Sequence, residues 1–160
     1  MMMNAEYETE TTQFSNNSSC TIDKTLLDHH LTDAGNADSF KTLYGSQFCY
    51  VPQKGKWFRW DGVRWIEDSE SVVPAMIKTV RKLGKIGMTL NDNDNEQRSR
   101  VVKWSLGSEA NYRIKAAISL AEPLFKVDYT DFDKDQYLLC CADGIVDLRT
   151  GKFRAANPED

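Results

Sequence analysis

The spacing of apolar residues changes several times along the chain, and each change marks an expected element. Residues 1–30 are rich in Thr, Ser, Asn and Glu with scattered apolar positions. That is too little apolar surface to offset the entropy of ordering, so the stretch reads as a flexible acidic and polar tail. Residues 31–160 carry the patterns of one small domain. Asn36 is placed to cap a short helix in which Phe40, Leu43 and Tyr44 share a face and Gly45 ends the run. The segment from Phe48 then takes on strand character, with an Asp61-Gly62 pair between two aromatic runs. A two-residue hairpin turn suits that pair and would set Trp60 opposite Val63, Arg59 opposite Arg64, Phe58 opposite Trp65 and Trp57 opposite Ile66. Alternation then assigns Phe58, Trp60, Val63 and Trp65 to one face and Trp57, Arg59, Arg64 and Ile66 to the other.

Helical spacing returns from Ser71 to about Lys85, where Val73, Met76, Ile77, Val80 and Leu83 form an apolar stripe that Gly84 and Gly87 are expected to end. After a polar Asn-Asp loop at 91–95, a helix is expected over Glu96–Leu106, with Asn95 as its cap, and another over Ser108–Glu122 before Pro123. The acid-rich run DYTDFDKDQY reads as a turn-rich connection. The last part alternates as β-structure, with turns at Asp143-Gly144 and Thr150-Gly151. The expected fold class is α+β: a small mixed domain with an aromatic β-hairpin, three to four helices and a C-terminal β-hairpin.

Charge sharpens this picture. The net charge is −4, yet residues 1–51 hold seven acids and two bases, 52–115 eight and thirteen, and 116–160 nine and five. The chain is acidic overall, which argues against coating nucleic acid through bulk charge, but its centre is positive. Four of those thirteen bases fall on the 71–85 helix, where Lys78, Arg81, Lys82 and Lys85 follow i, i+3, i+4, i+7 spacing opposite the apolar stripe. Four cations on one face can neutralise a few phosphates, although a solvated face looks the same in sequence. On the hairpin, Phe58, Trp60 and Trp65 are assigned to packing, and Trp57, Arg59 and Arg64 to nucleic-acid contact by stacking and phosphate pairing.

No catalytic, cofactor or metal site is expected in this chain. The Gly-Lys pairs at 55–56, 84–85 and 151–152 lack the earlier glycine and following hydroxyl of G-x-x-x-x-G-K-[ST], so nothing holds a nucleoside triphosphate for hydrolysis. Asp131, Asp133 and Asp135 alternate, but a calcium loop would need glycine where Gln136 stands. Cys140 and Cys141 are adjacent and cannot form a C-x-x-C clip, and small buried hydrophobes are the simplest account of most of the four cysteines. His29 and His30 read as surface residues. The N-terminus lacks the order of a signal peptide, and no apolar run approaches a membrane span, so a soluble cytoplasmic protein is expected.

Three segments in order, LTDAGNADSFKTLYG at 31–45, KWFRWDGVRWIED at 56–68 and YLLCCADGIVDLRTGKFRAANPED at 137–160, resemble a known domain. It is the helicase-associated N-terminal domain of phage and plasmid primase-helicases of superfamily 3, the family that includes the poxvirus primase-helicase. The resemblance implies a role in DNA replication. It implies a collar-like domain beside an ATPase motor, with the whole protein forming a homo-oligomeric ring, commonly a hexamer, and single-stranded DNA as a partner. ATP and magnesium would belong to the motor alone, which in the family lies downstream of a segment like NPED. A chain stopping at Asp160 is then a piece ending at a domain boundary or a truncated prophage product. A scaffold that contacts only protein is the alternative. One departure stands out: the family pattern LLN-x-x-NG is replaced here by Leu138-Leu139-Cys140-Cys141-Ala142-Asp143-Gly144.

Overall fold

The computed structural model describes residues 24–90 and 95–159. Four main helices are α1 (Asp33–Tyr44), α2 (Val72–Thr89), α3 (Asn95–Ser108) and α4 (Asn111–Ala121). Two antiparallel three-stranded sheets accompany them, β1 (Phe48–Val51), β2 (Lys56–Trp60) and β3 (Trp65–Glu67), then β4 (Leu138–Cys140), β5 (Ile145–Asp147) and β6 (Lys152–Arg154). This is a small mixed α+β domain, with the C-terminal strands forming a three-stranded meander where a hairpin was expected. Two 3₁₀ turns, Glu122–Phe125 and Tyr129–Asp131, connect α4 to β4. Residues 24–28, within the stretch read as tail, are helical and bury Leu26 against Leu83, Ile86 and Val101. The Asn-Asp run at 91–94 lies outside the described residues.

Helix α1 begins earlier than its sequence suggested. Thr32 is the cap, its hydroxyl accepting from the Gly35 amide at 3.0 Å, and a side chain at Gly35 would collide with the His30 carbonyl. Asn36 is therefore not a cap; it is a buried residue of the helix, 2% exposed. Its amide nitrogen donates to Ser108 Oγ at 3.1 Å, and its oxygen accepts from Trp104 Nε1 at 3.2 Å. Both ends of the amide are satisfied, which is what makes its burial tolerable.

Helix α2 runs through both glycines that were expected to stop it. A Cβ at Gly84 would lie 3.0 Å from Ser105 Cβ, and one at Gly87 2.7 Å from Val101 Cγ1. The glycines thus let α3 approach closely, and Ser105 Oγ donates to the Val80 carbonyl at 2.6 Å across the contact. The buried stripe is Val72, Met76, Val80, Leu83 and Ile86, while Val73 is exposed.

The hairpin departs most from expectation. Trp60 pairs with Trp65, Arg59 with Ile66 and Phe58 with Glu67, so the connection is the four residues 61–64. The Asp61 carboxylate accepts from the Val63 and Arg64 amides at 2.9 Å each, and Gly62 adopts φ +107°. The aspartate thereby closes a wider loop than a two-residue turn. A register shift of two keeps each residue on its face, but the buried face is the other one. Trp57 lies in the main core with Phe40, Phe48, Met76 and Phe125, its ring 5.2 Å from that of Phe125. Phe58, Trp60 and Trp65 are only partly buried.

Candidate nucleic-acid interface

The four cations of α2 lie as their spacing requires, lining one shallow groove with Ile86 and Thr89. They are not equivalent. Arg81 is committed to Glu109, donating from Nε at 3.1 Å and Nη2 at 2.6 Å to one carboxylate oxygen. That pair raises the Arg81 guanidinium and lowers the Glu109 carboxyl from their ordinary values. Lys82 is half-buried and has an interaction of its own. Lys78 and Lys85 are exposed, spaced two turns apart.

The hairpin residues separate into different roles. Trp57, expected at a nucleic-acid surface, is 5% exposed and serves as core packing. Arg59 donates from Nε to Asp68 Oδ2 at 2.7 Å, and Asp68 also accepts from the Ser71 hydroxyl at 2.7 Å and amide at 3.0 Å. These bonds, Arg59 first, hold the Asp68 carboxyl below its ordinary range. Arg59 therefore clamps the sheet to the start of α2. Arg64 alone of the three stays open, with its side chain 69% exposed and Nε 3.6 Å from Asp61.

The outward face of the hairpin forms one wall of a cleft of about 370 Å³, closed on other sides by the 129–135 segment and by Leu138, Cys140 and Ile145 of the C-terminal sheet. Phe132 packs on Phe58 at 5.7 Å, and Trp60 meets Trp65 edge-on at 5.5 Å. Lys54 stands 4.4 Å from the Tyr129 ring centre and 5.5 Å from that of Phe58. The Trp65 indole donates to the Pro158 carbonyl at 3.0 Å, holding the last described residues beside the cleft.

A family model with the description "D5 N terminal like" matches residues 37–160. The chain belongs to that family. It is the N-terminal domain found in phage and plasmid primase-helicases of superfamily 3, and not the ATPase motor. The match includes the α2 groove and the aromatic cleft. No curated protein matches the chain at a significant level.

The part played by Tyr129 and Phe132 in this D5 N-terminal-like domain does not follow from local spacing. Both sit in the acid-rich run read as a turn-rich connection, and the signal was three aromatics, Tyr129, Phe132 and Tyr137, among acids that a purely solvated loop has no use for. Three of the four acids there, Asp128, Asp131 and Asp135, are engaged locally. Asp128 accepts from the Thr130 amide at 2.9 Å and Gln53 at 2.7 Å, Asp131 pairs with Lys134 at 2.6 Å, and Asp135 pairs with Arg149. Among the described residues no group of three or more His, Cys, Asp or Glu side chains converges to hold a metal. His29 bonds Thr42 at 3.1 Å. Of the cysteines described, Cys49 is buried, its thiol pushed up to about 12 by burial, while Cys140 is exposed. The simple expectation of buried thiols therefore fits Cys49 and fails for Cys140. No helix among the described residues is long and apolar enough to cross a membrane.

Proposed function

We propose that this D5 N-terminal-like domain is an accessory domain of a DNA replication primase-helicase that contacts single-stranded DNA along the α2 groove, beside a motor that supplies ATP and magnesium chemistry. The carrying observation is the alignment of Lys78, Arg81, Lys82 and Lys85 along one groove, with Lys78 and Lys85 exposed. A flexible strand needs only a line of cations at phosphate-like spacing, and such contact is weak, sequence-tolerant and governed by counterion release. Arg64, on the hairpin loop, is a further exposed cation available for contact, while Trp57 and Arg59 act in the fold.

Titration of the 160-residue chain with oligothymidine at several salt concentrations tests this reading. Each engaged cation adds about −0.7 to the slope of log affinity against log salt, so a slope between about −1.4 and −2.8 is expected for two to four contacts. Replacing Lys78 and Lys85 by alanine should flatten it by about 1.4 units on the same basis. Absence of binding at low salt, or a slope that those replacements leave unchanged, overturns the proposal.

A second reading, self-association, is favoured by the C-terminal sheet. Its register places Leu139, Val146 and Phe153 side by side, with Leu139 52% and Phe153 60% exposed. An apolar row across three strands is the kind of surface that a second copy of the chain would cover.

A further inference from the structure

Five partly exposed aromatic side chains meet in the cleft, namely Phe58, Trp60, Trp65, Tyr129 and Phe132, although the core already has its own aromatic cluster around Phe40. We propose that this cleft is a second nucleic-acid site that takes an unpaired base of a single strand by stacking, separate in its residues and its physics from the α2 groove. Tyr129 is 50% exposed and the other four rings are only partly buried, so each keeps some surface open to the cleft, and a base has two π-faces that such rings can cover. The charges suit the same occupant. Lys54 at the Tyr129 and Phe58 rings and Arg64 on the hairpin loop bring two cations to the cleft lining for the phosphates that flank a base.

Inside the lining, Asp135 is neutralised by Arg149. Asp133 is exposed and adopts φ 54°, a left-handed conformation unusual for a residue other than glycine. Its carboxylate can accept from the N–H edge of a stacked base. The volume of about 370 Å³ is near the lower end for small-ligand sites and suits a base with its sugar, not a folded partner.

The inference rests on the proposal that a single strand meets this domain, and its test is arranged to fail separately. The intact chain is titrated with oligothymidine, with an abasic sugar-phosphate oligomer of equal length, with thymidine monophosphate and with a proline-rich peptide. Tryptophan fluorescence is followed throughout. Base-bearing oligomer should bind about tenfold more tightly than abasic oligomer and quench the emission, which stacking on Trp60 or Trp65 requires. Phe132→Ala, which removes a ring from a connecting segment, and Trp60→Leu, which keeps an apolar side chain but removes the π-face, should each abolish most of that difference. Abasic binding should stay as in the parent chain. The Lys78→Ala/Lys85→Ala protein should lose affinity for both oligomers by the same factor. Quenching by the monophosphate that Phe132→Ala removes also supports a base in the cleft and assigns it to a free nucleotide.

Equal affinity for base-bearing and abasic oligomers, with a normal salt slope, overturns the cleft and leaves the α2 contact standing. Quenching by the peptide and by neither nucleotide probe overturns it in favour of protein docking.

Discussion

At the scale of single residues, position in the fold outranks residue type. Arg59 and Arg64 look alike on the hairpin, yet one is held 2.7 Å from a part-buried aspartate and the other faces solvent. Asp68 is the residue on which the Arg59 clamp depends, because its carboxylate joins β2 to the first turn of α2. Its pKa is lower in the folded chain than in the unfolded one, so the unfolded state binds more protons in acid and stability rises with pH there. The contribution is complete above the ordinary carboxylate range and is lost as pH falls through the lowered value. Asp68→Asn should therefore destabilise the chain at neutral pH by about 1–2 kcal/mol, as removal of charge-assisted bonds does. The gap from the parent should begin to narrow as pH falls through the ordinary carboxylate value of about 4 and close only at acid pH where the folded carboxylate is protonated as well. Urea unfolding at both pH values measures it, and a gap that does not change with pH would contradict the assignment.

At the scale of elements, much was legible. Helices α2, α3 and α4, the strand character of 48–67 and both C-terminal turns follow from apolar spacing and turn residues, because those signals are local. The ends were less so. Gly84 and Gly87 resemble stop signals in isolation, and only the presence of α3 shows that they are contact points. This separates two substitutions with the same helix-propensity gain of about 1 kcal/mol. Gly107→Ala places its methyl in open space and should stabilise by about 0.5–1 kcal/mol. Gly84→Ala meets Ser105, whose hydroxyl is committed to Val80, and should cost about 1–3 kcal/mol net through overpacking. Denaturant midpoints of the two variants moving in the same direction would refute the close approach.

At the scale of the whole molecule, the D5 N-terminal-like domain presents three surfaces with different physics: a cationic groove, an aromatic cleft and an apolar row on the C-terminal sheet. The last bears on assembly. If Leu139, Val146 and Phe153 meet a second copy, sedimentation should show concentration-dependent association of the intact chain, and Phe153→Asp should abolish it by burying an unpaired charge. A monomer at every concentration would remove self-association through this row while leaving both nucleic-acid surfaces untouched.

Local spacing is enough for the fold class, the order of the main helices and of the strand-rich segments, the cationic face of α2 and the family resemblance, all of which depend on short windows or on the order of such windows. Tertiary structure alone decided which face of the aromatic hairpin is buried. Alternation divides a strand into two sets, and here both sets carry large aromatics, so hydrophobicity cannot choose between them. Packing chose Trp57, because Phe40 and Phe125 stand on its side, and turned Phe58, Trp60 and Trp65 toward the acid-rich segment that brings Tyr129 and Phe132. The cleft joins residues from Lys54 to Asn157, and no local spacing pattern encodes a meeting over that distance.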